Sequence, residues 1–308
     1  MVLPSSVDDP QSGPSGGDAE GAAAAAIAGA LWVSENAQHK CEALLAGGVG
    51  QLQLLVDFDH TLTSPPSPMC HDILGHSPLM PAAYGAAMGR MLDFTPGGYA
   101  RSMNEEQWWA ECNRLLAELG EPTPEAFHSV VAAAKVPLRA GAAELLCAAD
   151  AAGVPCLVVS AGFTNVIREV LAQNGVQAAH LDVLANEVLF PDDASGRQSV
   201  ELAPDPPVTS RCKSRTAELR PEHFERAAGR SHALVLGDKP RDTAVSEGVR
   251  GLSQVLRVGI HNGASTEELP PFCDYQAAFD VILDGAAGLQ PLAAFVRAVA
   301  AGAARPGA

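Results

Sequence analysis

Leu54-Leu55-Val56-Asp57-Phe58-Asp59-His60-Thr61-Leu62-Thr63 decides how this chain is read. An apolar run stops at an aspartate, and a second aspartate and a threonine follow at steps of two. Along a strand, alternate side chains share a side. A strand ending here can therefore turn Asp57 and Asp59 toward one point. Adjacent carboxylates repel unless a cation or a shared proton intervenes. The stretch points to metal binding, to acid–base or nucleophilic work, or to both.

Two further apolar runs end in chemically useful residues. Pro155–Ser160 leads into Ala161-Gly162 and an amphipathic helix over Asn165–Asn174, and His232–Leu236 leads into Gly237-Asp238. The pattern predicts more strands at Val255–Ile260 and Asp280–Leu283, with helices at Gly141–Ala152, Pro221–Ala228 and Leu289–Ala301. Residues 186–210 read as a hairpin or an irregular excursion. Strands alternating with helices predict an α/β fold, a parallel sheet covered on both faces. Such sheets bind ligands beyond the carboxyl ends of their strands, near a switch point. Asp57, Asp59, Ser160 and Asp238 can meet there although they are far apart in sequence. The N–H groups of Ser160-Ala161-Gly162, ahead of a helix, suit a phosphate. Gly237-Asp238-Lys239-Pro240-Arg241-Asp242 brings two more carboxylates, and hard oxygen ligands suit Mg²⁺.

Outward from these runs, residues 1–18 are rich in Ser, Pro, Gly and Asp and read as a disordered tail. Ala19–Leu45 reads as one or two helices, and residues 64–78 as largely loop. Ala82–Leu92, Glu105–Glu118 and Pro124–Ala134 read as helices with no credible strand between them. The organisation expected is a core of residues 19–64 and 137–301, a helical cap of residues 65–136 inserted into it, and a flexible end at 302–308.

The chain has 308 residues, 47% of them hydrophobic, and a formal net charge of −16. That charge argues against nucleic acid or an anionic membrane as partner. An anionic substrate then needs a local positive device. The seven cysteines form an odd set without CxxC spacing, which reads as reduced thiols. No stretch is long and apolar enough to span a membrane, and the N-terminus has no convincing targeting character. A cytoplasmic, monomeric enzyme acting on a small molecule is expected.

Asp57-x-Asp59-x-Thr61, Ser160, Lys213 and Gly237-Asp238-x-x-x-Asp242 resemble the four motifs of the haloacid dehalogenase superfamily of phosphohydrolases. A narrower resemblance runs through Ile73-Leu74, Trp108-Trp109, Ser160-Ala161-Gly162, Val166-Ile167-x-Glu169, Asn186, Gly248-Val249 and Leu256-Arg257-Val258-Gly259-Ile260-x-Asn262. These stretches are similar to the type III cytosolic pyrimidine 5′-nucleotidase family, which includes members acting on 7-methylguanosine monophosphate. The resemblance implies a Rossmann-like core with a helical cap after the first motif. It implies an Mg²⁺-dependent 5′-nucleotidase that hydrolyses nucleoside monophosphates through an aspartyl-phosphate.

In that reading Asp57 is the nucleophile and Asp59 the general acid and base. Asp57, the Asp59 carbonyl and Asp238 hold Mg²⁺, with Asp242 in support. Ser160, the Ala161 N–H and Lys213 hold the phosphoryl oxygens. One indole of Trp108-Trp109 belongs to the core and the other faces a nucleobase. The sequence departs from the family at Lys239 and Arg241, where serine and glycine are usual. It departs again near Met91–Asp93, where the family's base-recognising glutamate should fall and Asp93 is the available substitute. Two rivals stay open: a phosphatase of another small phosphometabolite, phosphoserine-like, and a nucleotide-binding protein without turnover.

Overall fold

The computed structural model describes residues 21, 27, 29–95, 97–120, 123–191, 200–203, 207–263 and 269–303. The tail expected at residues 1–18 and most of the expected flexible end lie outside them. The strands are β1 (Trp32–Val33), β2 (Leu52–Val56), β3 (Cys156–Phe163), β4 (Leu181–Leu189), β5 (Glu201–Ala203), β6 (His232–Gly237), β7 (Gln254–His261) and β8 (Val281–Asp284). They form one sheet in the order β1-β8-β7-β6-β2-β3-β4-β5. The six inner strands run parallel, and β1 and β5 close the two edges antiparallel.

Strand β2 is central, with Leu54 opposite Cys156 on one side and Leu234 on the other. All five of its residues are buried, as a strand covered on both faces requires. Leu54 and Val56 join the larger hydrophobic cluster, while Leu55 meets Leu157, Val159 and Val235 on the opposite face. From β3 the chain moves outward through β4 and β5, then returns to the other flank of β2 as β6. The carboxyl end of β2 is thus a topological switch point, where open α/β sheets leave a crevice.

The helices are α1 (Ala37–Gly47), α2 (Cys70–Gly75), α3 (Ala82–Met91), α4 (Glu105–Leu115), α5 (Pro124–Ala133), α6 (Ala142–Ala151), α7 (Thr164–Gln173), α8 (Thr216–Leu219), α9 (Pro221–Arg226), α10 (Phe272–Ala278) and α11 (Gln290–Ala303). Helices α2 to α5 make the helical cap inserted between β2 and β3. Local signals start them: Asn104 and Gln107 exchange hydrogen bonds in a capping box at 2.9 and 3.1 Å before α4. Thr123 caps α5 ahead of Pro124.

Two local expectations are corrected and two are refined. Trp32–Val33 is a strand within a stretch read as helix, because the edge of β8 offers free backbone groups. Leu31 donates to the Ile282 carbonyl and Ser34 to that of Asp280, both at 2.8 Å. Residues 64–78 are largely loop as expected but hold the short helix α2, its first turn closed by Asp72 accepting the Met69 N–H at 2.9 Å. The hairpin expected within 186–210 is present, with Glu187–Leu189 pairing antiparallel to β5, but β4 begins earlier, at Leu181, since its first half completes the parallel ladder with β3. Strand β3 runs on through Phe163, past its expected end at Ser160, so Ala161-Gly162 belongs to the strand and α7 follows at Thr164. An irregularity between Val159 and Phe163 lets it do so.

Candidate active site

Beyond the carboxyl ends of β2, β3 and β6 lies a cavity of about 400 Å³, lined by residues of both core and cap. Asp57, Asp59, Ser160, Ala161, Lys213, Asp238 and Asp242 all reach it. Lys213 stands at its centre. Its Nζ donates to Asp57 Oδ1 at 2.6 Å and to Asp242 Oδ1 at 2.7 Å, and all three side chains are at most 10% exposed. Burial alone would lower the lysine pKa, but Asp242 and Asp57 outweigh it and hold Lys213 charged.

Each carboxylate has its own support. Thr61 Oγ1 donates to Asp57 Oδ2 at 3.0 Å. The Lys239 N–H donates to Asp242 Oδ2 at 2.8 Å. Gly237 makes room for that residue, since a Cβ there would fall 2.3 Å from the Asp242 Cβ. Asp59 is held by Cys70, whose N–H donates to Oδ1 at 3.3 Å and whose thiol also hydrogen-bonds the carboxylate. Burial, then the charge of Asp57, pushes its pKa up to about 7. Burial also raises Asp57 and Asp238 above the ordinary carboxylate range.

The donor set fits a divalent cation. Asp57, Asp238 and Asp242 each offer an oxygen, all within 4.8 Å of one another, and all three residues are buried. Lys213 and the Lys239 N–H already occupy both oxygens of Asp242. Among the described residues, the Asp238 carboxylate receives only a 3.5 Å contact from Asn262 Nδ2. A buried carboxylate so poorly matched, beside a second one, calls for positive charge.

On the β3 side, Ser160 Oγ accepts the Gly162 N–H at 2.9 Å. Asn186 ties this segment to the chain leading to Lys213. Its Nδ2 donates to the Ala161 and Val208 carbonyls, and its Oδ1 accepts from Val208 N–H, at 2.8 to 2.9 Å. Gly162 lets the cap come close, because a Cβ there would meet Cys70 Sγ at 2.5 Å.

The cap supplies an aromatic wall. Trp108 and Trp109 meet edge to face, 4.9 Å between centroids. Both line the cavity and both are half-buried, so the expected split into one core and one cleft indole is incomplete. The difference lies in anchorage. Trp108 Nε1 donates to the Met91 carbonyl at 2.6 Å, and its ring packs on the hydrophobic cluster, as that of Trp109 does not. Asp93 is not brought to the cavity: its carboxylate faces solvent and accepts from Thr95 N and Oγ1. Met91 is buried, and no cap carboxylate lines the cavity among the described residues.

Sequence reading missed His71, Phe94, Arg101 and Asn104, which line the cavity from the cap. Their only signal was proximity to Ile73-Leu74 and Trp108-Trp109. His71 is buried between Trp108, Trp109 and Phe163, with centroids 4.5 to 5.4 Å away. Burial lowers its pKa to about 3. The unfolded chain binds this proton near pH 6.5, whereas the folded one refuses it until about pH 3. Stability is therefore lost as pH falls through that window. Between pH 7 and pH 5 His71 should cost about 2 kcal/mol. Urea unfolding of wild type and His71→Phe at both pH values checks this, and equal losses in the two proteins would refute it.

Comparison with known proteins bears on family and fold. The sequence model of the family described as Pyrimidine 5′-nucleotidase (UMPH-1) matches residues 100–300. The chain is 23% identical over 253 residues to the 7-methylguanosine phosphate-specific 5′-nucleotidase of Gallus gallus, covering 77% of this chain and 84% of that one. With the Homo sapiens protein of the same name it is 22% identical over 260 residues, covering 79% and 82%. The crystal structure of cytosolic 5′-nucleotidase IIIB bound to cytidine shares the fold, with a TM-score of 0.69 at 20% identity, over 85% of this chain and 92% of that one. The described residues contain no helix long and apolar enough to cross a membrane. The chain belongs to the pyrimidine 5′-nucleotidase family, whose members are phosphoric monoester hydrolases, and carries an α/β core with a helical cap.

Proposed function

We propose that the protein hydrolyses nucleoside 5′-monophosphates to nucleoside and orthophosphate, with Mg²⁺ as cofactor and Asp57 as covalent nucleophile. The observation that carries this reading is the cluster of Asp57, Lys213, Asp242 and Asp238, buried in a cavity whose opposite wall is aromatic.

An Asp57 oxygen attacks phosphorus while the bond to the nucleoside O5′ breaks. Asp59 gives its proton to that oxygen, and its raised pKa supports the role. Water then attacks the aspartyl-phosphate, Asp59 takes back a proton, and orthophosphate leaves with Asp57 restored as carboxylate. Lys213, Ser160 and the Ala161 N–H hold the phosphoryl oxygens as charge builds on them. Asp57, Asp238 and the Asp59 carbonyl, with Asp242 in support, would hold Mg²⁺, which supplies charge neutralisation between phosphate and nucleophile. Lys239, Arg241 and Arg101 add positive charge around the cavity, which favours an anionic substrate in a chain of net charge −16.

The aromatic wall favours a flat base as leaving group. The name 7-methylguanosine phosphate-specific 5′-nucleotidase, borne by the chicken and human relatives, supports a nucleotide substrate. Pyrimidine and 7-methylguanosine nucleotides are the proposed substrates. Without a cap carboxylate to read ring N–H groups, the bases should be discriminated weakly. The similarity to a cytosolic 5′-nucleotidase supports a cytosolic location, and we take the active unit to be a monomer.

The test is kcat/KM for CMP, UMP, 7-methyl-GMP, AMP and phosphoserine on wild type and Trp109→Ala. Stacking on an aromatic ring is worth about 1–3 kcal/mol per base. Trp109→Ala should therefore raise KM for nucleotides about 10-fold or more, leaving kcat and a small aryl phosphate nearly unchanged. Phosphoserine as the best wild-type substrate, with no ratio altered in the variant, would remove the nucleotidase reading and leave a phosphatase of a small polar metabolite.

A further inference from the structure

The turn that carries the chain away from Asp59 is held by two side chains with no role in the chemistry above. His60 has φ 61°. A non-glycine residue in that left-handed region costs about 1 kcal/mol or more and persists only where its surroundings impose it. Here they do. The His60 N–H donates to Thr63 Oγ1 at 2.9 Å. Its carbonyl accepts from Arg139 Nη2 at 2.8 Å and from Asn262 Nδ2 at 3.0 Å.

Arg139 continues along the same turn. Its Nε donates to the Thr61 carbonyl at 2.9 Å, and its own N–H donates to the Leu62 carbonyl at 2.7 Å. Its remaining bonds go to Asn262 Oδ1 at 2.8 Å and to the Gly285 carbonyl. The residue is 4% exposed, yet none of these partners is a carboxylate. Burying a cation among neutral acceptors is costly unless their directions match its donors. The planar guanidinium fork meets that condition, which a lysine ammonium does not. Asn262 sits just past β7, and the same Nδ2 also faces Asp238 Oδ2 at 3.5 Å. The pair therefore joins the turn after β2 to the loop after β6.

Among the described residues, the Asp59 carboxylate is held from the cap side, by the N–H and thiol of Cys70 at the start of α2. The core's own hold on its direction comes through the backbone, which runs straight into the clamped turn. We propose that Arg139 and Asn262 are positioning residues for Asp59: they lock the left-handed turn at His60 and so fix the direction in which the acid–base carboxylate leaves the strand. The proposal rests on the proton-transfer role given to Asp59.

The leaving group separates this role from a merely structural one. The ribose O5′ of CMP needs a proton as it departs, whereas p-nitrophenolate does not. Asn262→Ala should lower kcat/KM for CMP about 10²-fold, through kcat with KM little changed. For p-nitrophenyl phosphate the loss should stay below about 3-fold. Arg139→Lys, which keeps the charge without the fork, should show the same split. If Asn262→Ala is unfolded by circular dichroism, Asn262→Ser serves in its place. Equal losses on both esters, a change in KM alone, or full activity in a folded variant would overturn the proposal. Should wild type prefer another alkyl phosphate to CMP, the nucleotidase reading fails. The ratio is then measured with that ester, and the positioning role stands or falls on its own.

Discussion

Asp57→Asn should lower kcat at least about 10³-fold while the protein stays folded. The substitution keeps the shape of the side chain and removes the attacking charge. It should not unfold the core, because burial already opposes ionisation of Asp57. Lys213 also keeps its second partner, Asp242, at 2.7 Å. The contrast is Lys213→Met, which leaves buried carboxylates facing one another and should lower stability strongly as well as activity. Asp59→Asn should be comparably inactive on CMP, for loss of the proton donor. Steady-state kinetics beside thermal melts separate the two effects. Substantial turnover by purified Asp57→Asn would remove the covalent mechanism.

Removal of divalent metal should abolish activity, by more than about 10²-fold, and Mg²⁺ should restore it. The motive is Asp238, buried and raised in pKa, with one long contact to its carboxylate among the described residues. Ca²⁺ should not substitute, since its larger and looser shell misplaces the phosphate. A second readout does not depend on turnover. A cation that binds the folded state alone raises the melting temperature, so Mg²⁺ should raise Tm in wild type and fail to do so in Asp238→Asn. Full activity after exhaustive chelation, or the same Mg²⁺ shift in both proteins, would contradict the assigned site.

The fold was legible because its physics is local. An apolar run of strand length, stopped by Asp57, is what a central parallel strand looks like, and the alternation with amphipathic helices carries the rest. The residues at strand ends were equally legible, since Asp57, Ser160 and Asp238 follow apolar runs by one rule of α/β architecture. Lys213 has no such signal. It lies on a 3-10 turn, Ser210–Arg215, and reaches the site through a tertiary ion pair that no spacing encodes. The strand at Trp32–Val33 was hidden for a related reason: only the unpaired edge of β8 makes it a strand. The cap was readable as helices, and its Trp pair as facing a base, but the rest of the wall was not. Which faces of α3 and α4 turn inward depends on how the cap docks, so Asp93 looked available and His71 did not. Arg139 and Asn262 act through bonds spanning 79 and 202 residues, beyond any local pattern.

The measurement that reaches the central claim most directly is trapping of the phosphoenzyme. Wild type would be mixed with CMP and Mg²⁺, quenched in acid during turnover, and treated with borohydride, which reduces an acyl phosphate to an alcohol. Peptide mass mapping should then find homoserine in place of Asp57, in an amount that depends on CMP. With turnover intact, an unmodified Asp57, or reduction at Asp59 instead, would contradict the account.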